Sequence, residues 1–350
     1  MKRVVNLLTI VLISLLVTTV SCKTSSLTLT VMEPADITVP AKIQTIAIVN
    51  RSLPVKENKI WNFLEGFFTN EGVFVDRASS EACINGAVNQ LRNLPRYKEV
   101  KTVGNLDLRG AGSGVFSEPL AWSKVEQICK ANNVNALITL EVFDSDIYYS
   151  KGSEVRTKKE NDKEVKYTVF WKAMEIDVKA GWRIYDPVTK KIIDESIFTD
   201  RKRFSAEGPT EEAAARNLPI VEQAIQDAGY FAGGRFAFRI SPSWINVSRV
   251  YYKKGTTDFG AAKRYVQADN WEQAIAIWEK YTTNPDADIA GRACYNMAVG
   301  MEVTGYLNDA VKWAEKSFTQ YGNKKARNYL YQLQERVEKQ KLIDKQLENK

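Results

Sequence analysis

Hydrophobic and polar positions change their period several times along the chain, and each change predicts an element. Lys2 and Arg3 open it, Val4 to Val20 carries no charge, and the run closes on Thr19-Val20-Ser21-Cys22. A basic head, an apolar middle and small residues before a cut site predict an export signal over 1–21. The run is at the short limit for a membrane span, and an uncleaved anchor helix with an incidental cysteine is the other reading. Residues 22–41 are mostly Ser, Thr and small apolar residues broken by Pro34, which reads as a tether. Lys42 to Asn50, KIQTIAIVN, has β-branched residues and no Gly or Pro, a buried strand. Ile60, Phe63, Leu64 and Phe67 follow helical spacing, as do Ile84, Ala87, Val88 and Leu91 within Asp76–Leu94. Ser123 and Glu126 have capping-box spacing ahead of Val125, Ile128 and Cys129, and Asn132-Asn133 ends that helix. Ala136 to Phe143 is a second strand.

Ser150 to Lys166 mixes charges of both signs and reads as a solvated hairpin tip. Beyond it Met174, Ile176, Val178, Ala180, Trp182 and Ile184 alternate with Glu175, Asp177, Lys179, Gly181, Arg183 and Tyr185. This period of two predicts a strand with one buried and one wet face. Glu175, Asp177, Lys179 and Arg183 then form an exposed ionic stripe rather than a catalytic carboxylate pair. Asp186-Pro187 turns the chain and Lys191 to Thr199 returns beside it. Thr210 caps a helix with Glu211 and Glu212 in its first turn. Pro219 restarts it, Gly229, Gly233 and Gly234 mark close backbone approach, and Ile245 to Tyr252 adds a strand. The order predicts an α/β sandwich with a mixed sheet over 42–252, followed by an all-α domain over 256–350.

In that last stretch Ala274 and Ala310 stand 36 residues apart, with Ala262 and Ala298, Tyr265 and Met301, Trp271 and Leu307, and Trp278 and Ala314 in register around them. DNWEQAIAIWEK (Asp269 to Lys280) and this spacing resemble tetratricopeptide repeats, whose period is about 34. Ala326, Tyr329, Leu330, Leu333 and Val337 then form a capping helix. An ordinary helical hairpin packed on the first domain is the other reading.

Composition removes whole classes of chemistry. The 350 residues contain no histidine, which excludes Ser-His-Asp and Cys-His catalysis and zinc sites built on His. Besides Cys22 there are Cys83, Cys129 and Cys294, none at metal-ligand or redox-motif spacing. Cys83 and Cys129 are read as buried thiols, with a bridge between them as the alternative. Gly110-Ala111-Gly112-Ser113-Gly114 lacks the Lys-Ser/Thr of a phosphate loop and reads as a flexible connector. No metal or cofactor site is expected. The net charge is +7, and two fewer, +5, without Lys2 and Arg3, a mild excess that suits an anionic envelope surface or plain solubility; nucleic acid is not an expected partner.

Val20-Ser21-Cys22 resembles a bacterial lipobox, departing from it at Thr19. The resemblance implies cleavage after Ser21 and a lipid on Cys22, the lipid-attachment residue. Lys23 is not the aspartate of inner-membrane retention, and no acidic run follows Cys22, which implies an outer-membrane lipoprotein facing the periplasm. KIQTIAIVN, GVFVDR (Gly72 to Arg77), VNALITLEV (Val134 to Val142) and WRIYDPVTKKIIDES (Trp182 to Ser196) resemble the periplasmic domains of curli-secretion lipoproteins and of lipoprotein activators of penicillin-binding proteins. The pore hairpins of the curli family are not evident. The whole chain resembles a family of Bacteroides-type lipoproteins that end in such repeats, a resemblance that brings no activity with it.

Three function classes follow. The first is a non-enzymatic, lipid-anchored cell-envelope scaffold or assembly accessory. It would hold a protein partner on the concave face of the repeats, on the sheet edge, or on both. The second is a ligand-binding lipoprotein that captures glycan or peptide on aromatics such as Trp122, Trp244 and Tyr251. The third is an enzyme working with carboxylates and lysine alone.

Overall fold

The computed structural model describes residues 23–53, 70–104, 106, 108, 110 and 114–347. The export segment with Cys22, the Ile60–Phe67 stripe and residues 111–113 lie outside them. The chain forms two compact units, Met32–Ser243 with the last residues from Leu342, and Trp244–Lys341 with the segment up to Val31. An α/β domain and an all-α domain follow one another, as the sequence predicts.

In the α/β unit a five-stranded mixed sheet has the order β3-β2-β4-β5-β6. Its strands are β2 (Thr45–Asn50), β3 (Glu99–Thr102), β4 (Ala136–Glu160), β5 (Lys163–Asp186) and β6 (Lys191–Gly208). β2 runs parallel to β3 and to β4, while β4–β5 and β5–β6 are antiparallel. Helices α1 (Asn70–Arg92) and α4 (Val221–Ile240) cover one face, with α3 (Glu211–Arg216) leading into α4. Thr210 accepts from Ala213 N as the helix cap. The even-numbered side chains of β5, Met174 to Ile184, are buried against these helices together with Ile84, Val88, Leu91 and Phe236. Each Val, Leu, Ile, Met or Phe side chain among them contributes about 1.5–3 kcal/mol by leaving water. The α1–α4 crossing needs glycine, since a Cβ on Gly86 or Gly233 would collide with the Tyr230 or Cys83 carbonyl.

The second face is also covered at one end, by α2 (Trp122–Asn132) packed on Ala47, Val49, Leu137 and Tyr185. The helix starts before the capping box: Ala121 is its N-cap and makes no side-chain cap bond, so Ser123 lies inside the first turn. Asn133, at φ 52°, ends it. Because of this cover the wet stripe of β5 is only half as long as its alternation suggests. Glu175, Asp177 and Lys179 are half-buried, whereas Gly181, Arg183 and Tyr185 are buried. Cys83 and Cys129 are free thiols in the two different cores, on opposite faces of the sheet. Burial pushes the Cys129 thiol up to about 11.

The second unit holds a two-stranded sheet of β1 (Thr24–Glu33) and β7 (Ser243–Tyr252). Its helices are α5 (Thr257–Gln267), α6 (Trp271–Glu279), α7 (Ala287–Val303), α8 (Leu307–Thr319) and α9 (Lys324–Leu347). Thus 24–33 is a strand and not a tether, and β7 clusters with the helices rather than with the α/β sheet. Ala262, Ala274, Ala298 and Ala310 have no exposed surface, which lets the helices of successive hairpins approach. Cys294 is a buried free thiol here.

Candidate functional site

β4 pairs with β2 from Ala136 to Leu140 and then loses that neighbour. At this point the β4–β5 register slips between Leu140 and Val142, a β-bulge whose extra residue is Glu141. β4 continues to Glu160, so among the described residues its outer edge is open from Val142 onward. β6 stops pairing at Phe170↔Gly208. Beyond that, β4 and β5 form a two-stranded ribbon in which Ser153 to Thr168 are all exposed. Asn161 and Asp162, at φ 50° and 58°, make the tight turn. Glu160↔Lys163 and Lys159↔Glu164 are opposite-charge cross-strand pairs. The predicted solvated tip is therefore present, and it belongs to two long strands.

The open stretch of β4 and the ribbon beyond it carry apolar groups on both sides. Tyr148, Val165 and Tyr167 share one face by register, and Tyr149 and Val155 the other; all five are exposed. At its base Tyr149 and Met174 line an open groove of about 450 Å³ with Leu218, Ile220 and Val221. On the opposite face Arg201 bonds Asp177 at 2.5 and 2.7 Å and Arg203 bonds Glu175 at 2.5 Å. The bonds from Arg201 hold the Asp177 carboxyl below its usual range. Arg156 reaches Glu207 on β6 at 2.7 and 2.8 Å. Glu175 and Asp177 are thus structural ion partners, as the stripe reading predicts.

The Glu141 side chain is fully buried at the bulge, where the open edge of β4 begins. Arg51 donates to it at 3.0 and 3.2 Å, Arg183 at 3.3 Å and Thr139 Oγ1 at 2.7 Å. Arg183, predicted on the wet stripe, is 2% exposed. It also donates to Glu195 at 2.5 Å, to Tyr185 Oη at 3.1 Å and to the Ser117 carbonyl at 2.9 Å. Its guanidinium thus donates four bonds to four partners, which makes burial of the charge tolerable. The sequence reading passed over Glu141; its one signal is a lone carboxylate inside the apolar run ALITLEV. Gly110 is more than a connector: a Cβ there would strike the Arg51 carbonyl, and its N–H donates to Leu53 O at 2.9 Å.

In the helical unit β7 lies against one face of α7. Asn296 Oδ1 accepts from Tyr252 N at 2.7 Å and Asn296 Nδ2 donates to Tyr252 O at 2.8 Å, so one side-chain amide completes the strand's pairing. Glu302 takes two bonds from Arg249 on β7 and one each from Tyr329 and Arg336 on α9. Of the three aromatics proposed as a ligand platform, Tyr251 is buried, Trp122 packs edge-on against Tyr185 at 5.7 Å, and Trp244 is 61% exposed. Cys22 lies outside the described residues, and no described helix is long and apolar enough to cross a membrane. Among the described residues no group of three or more Cys, Asp or Glu could hold a metal ion.

Residues 43–252 match the family described as Domain of unknown function (DUF8603), and residues 260–335 match Domain of unknown function (DUF6340). No curated protein matches the chain. Among solved structures, the PelC dodecamer from Paraburkholderia phytofirmans is 9% identical with a TM-score of 0.26, over 61% of this chain and 98% of that one. A single-substitution variant of the same protein is 10% identical at 0.24, over 61% and 100%.

Proposed function

Since the chain belongs to the DUF8603 family, whose activity is open, we propose from its own residues that it is a non-enzymatic, lipid-anchored cell-envelope protein that holds a protein partner. The lipid on Cys22 places it at a membrane facing the periplasm, and the open edge of β4 is where the partner docks. One observation carries this reading. A two-stranded ribbon in water is marginal without a third strand or a helix against it, yet this one runs on from Ser153 to Thr168 with every residue exposed. Its unpaired backbone groups, with Val155, Val165 and Tyr167 on it and Tyr148 and Tyr149 on the open edge of β4 before it, fit strand addition, in which main-chain bonds give affinity and alternate side chains give specificity. Lysines and glutamates along the tip are the usual guard against uncontrolled edge pairing. The tetratricopeptide-like hairpins serve as support in this reading, with β7 held against α7 by Asn296.

Affinity capture from detergent-solubilised envelopes tests it. The parent and a Tyr306→Ser variant, altered on the helical unit, should retain the same partner. A Val155→Ser, Val165→Thr, Tyr167→Thr variant should lose it while melting like the parent, since all three side chains are exposed and no like charges are set opposite Arg156 or Lys158. Retention by the ribbon variant with loss in Tyr306→Ser would move the docking surface to the helices.

A further inference from the structure

The first strand leaves no slack between the lipid site and the folded chain. β1 begins at Thr24, and Lys253 N already donates to Lys23 O at 3.1 Å. At about 3.3–3.6 Å per extended residue, Thr24 stands no more than ~7 Å from Cys22. That is within one Debye length at physiological salt, about 8 Å.

This end of the helical unit is basic. Lys254 follows Lys253, and its carbonyl accepts from Arg292 Nη1 at 3.0 Å. The Arg292 guanidinium and Lys325 Nζ sit 5.5 and 5.8 Å from the Tyr252 ring centre. Asp288 is ion-paired with Arg292, and Asp258, on the first turn of α5, accepts from Tyr281 Oη. Among the described residues Lys23, Lys253, Lys254 and Lys325 have no carboxylate within ion-pair distance.

We propose that Lys23, Lys253, Lys254 and Lys325 form a membrane-contact surface that lies on anionic phospholipid headgroups beside the lipidated Cys22. This rests on the anchor reading above and deepens it. An acyl anchor fixes one point only, and a basic patch next to it supplies the second signal that sets which end of the unit faces the bilayer. Each lysine near an anionic leaflet strengthens contact by about five-fold.

The full-length product is purified from membranes, its Cys22 peptide is weighed for acylation, and it is reconstituted in vesicles of phosphatidylcholine with or without phosphatidylglycerol. Amine labelling of Lys254 and Lys325 should slow several-fold when phosphatidylglycerol is present and recover in high salt, while Lys312 reacts equally in both. Lys253→Glu, Lys254→Glu, Lys325→Glu together should abolish the lipid dependence of amide exchange over 252–257. Equal rates in both vesicles, with the acyl group confirmed, overturn the surface. If the acyl group is missing, the anchor reading fails by itself. The chain from Lys23 onward, which holds every described element of both units, is then sedimented with phosphatidylglycerol vesicles. Binding lost in the triple variant upholds the patch; no binding by the parent sinks it.

Discussion

Replacing Glu302 by Gln keeps the shape of a side chain with no exposed surface and removes its charge. The carboxylate accepts from Arg249 Nε at 2.7 Å, Arg249 Nη2 at 2.9 Å, Tyr329 Oη at 2.6 Å and Arg336 Nη1 at 2.6 Å. A Gln carbonyl can accept about two of the four, and its amide would point a donor at a guanidinium. Charge-assisted bonds contribute about 1.5–3 kcal/mol each, and breaking a buried pair costs about 3–5 kcal/mol. The Arg249 and Arg336 side chains keep 10% and 20% of their exposure, so some charge is still solvated. We therefore expect the lower end, about 3 kcal/mol, or ~100-fold in a local opening equilibrium.

Hydrogen exchange across α7 and β7 reads that loss, while β5 in the other unit keeps its protection. The pH dependence gives a second reading. Burial opposes ionisation of Glu302, but the bonds from Arg249, Tyr329 and Arg336 outweigh it and hold the carboxyl below its ordinary 4.5. A folded-state value below the unfolded one stabilises fully above about pH 4.5 and is lost as pH falls through the folded value. Glu302→Gln should lack that segment of the acid limb. A loss under about 1 kcal/mol, or an equal loss in Asp309→Asn, whose partner Lys312 is exposed, would refute the reasoning.

Two further outcomes are expected. Val178→Asp puts a charge among fully buried side chains of the α/β core and should cost on the order of 3 kcal/mol or more; Lys179→Asp loses only a 3.1 Å bond to Gly114 O and should cost about 1 kcal/mol. Thermal melts of equal size would show that the sheet lacks two distinct faces there. Ala274→Leu should overpack its helix crossing by about 1–3 kcal/mol, with exchange loosening from α5 to α8 and unchanged in β5; a uniform loss across both units would contradict local packing.

What the sequence determined by itself is periodic and local. The alternation from Met174 to Ile184 marked the buried face of β5, the stripe Ile84 to Leu91 marked the core side of α1, and paired alanines marked the helical hairpins, because each pattern records which side leaves water. What the tertiary structure decided is non-local. Arg183 obeys the period of two and is still buried, because α2 and the segment before it cover the second face, and a strand's own pattern does not say what covers that face. Glu141 became a buried partner for two arginines through a one-residue bulge, which shifts register without changing composition. The segment 24–33 has the polar composition of a tether, and only pairing with β7, more than two hundred residues away, makes it a strand. For the same reason the seat of β7 on α7 could not be read: Asn296 holds a backbone edge, and backbone hydrogen-bonding groups leave no mark in the side-chain pattern.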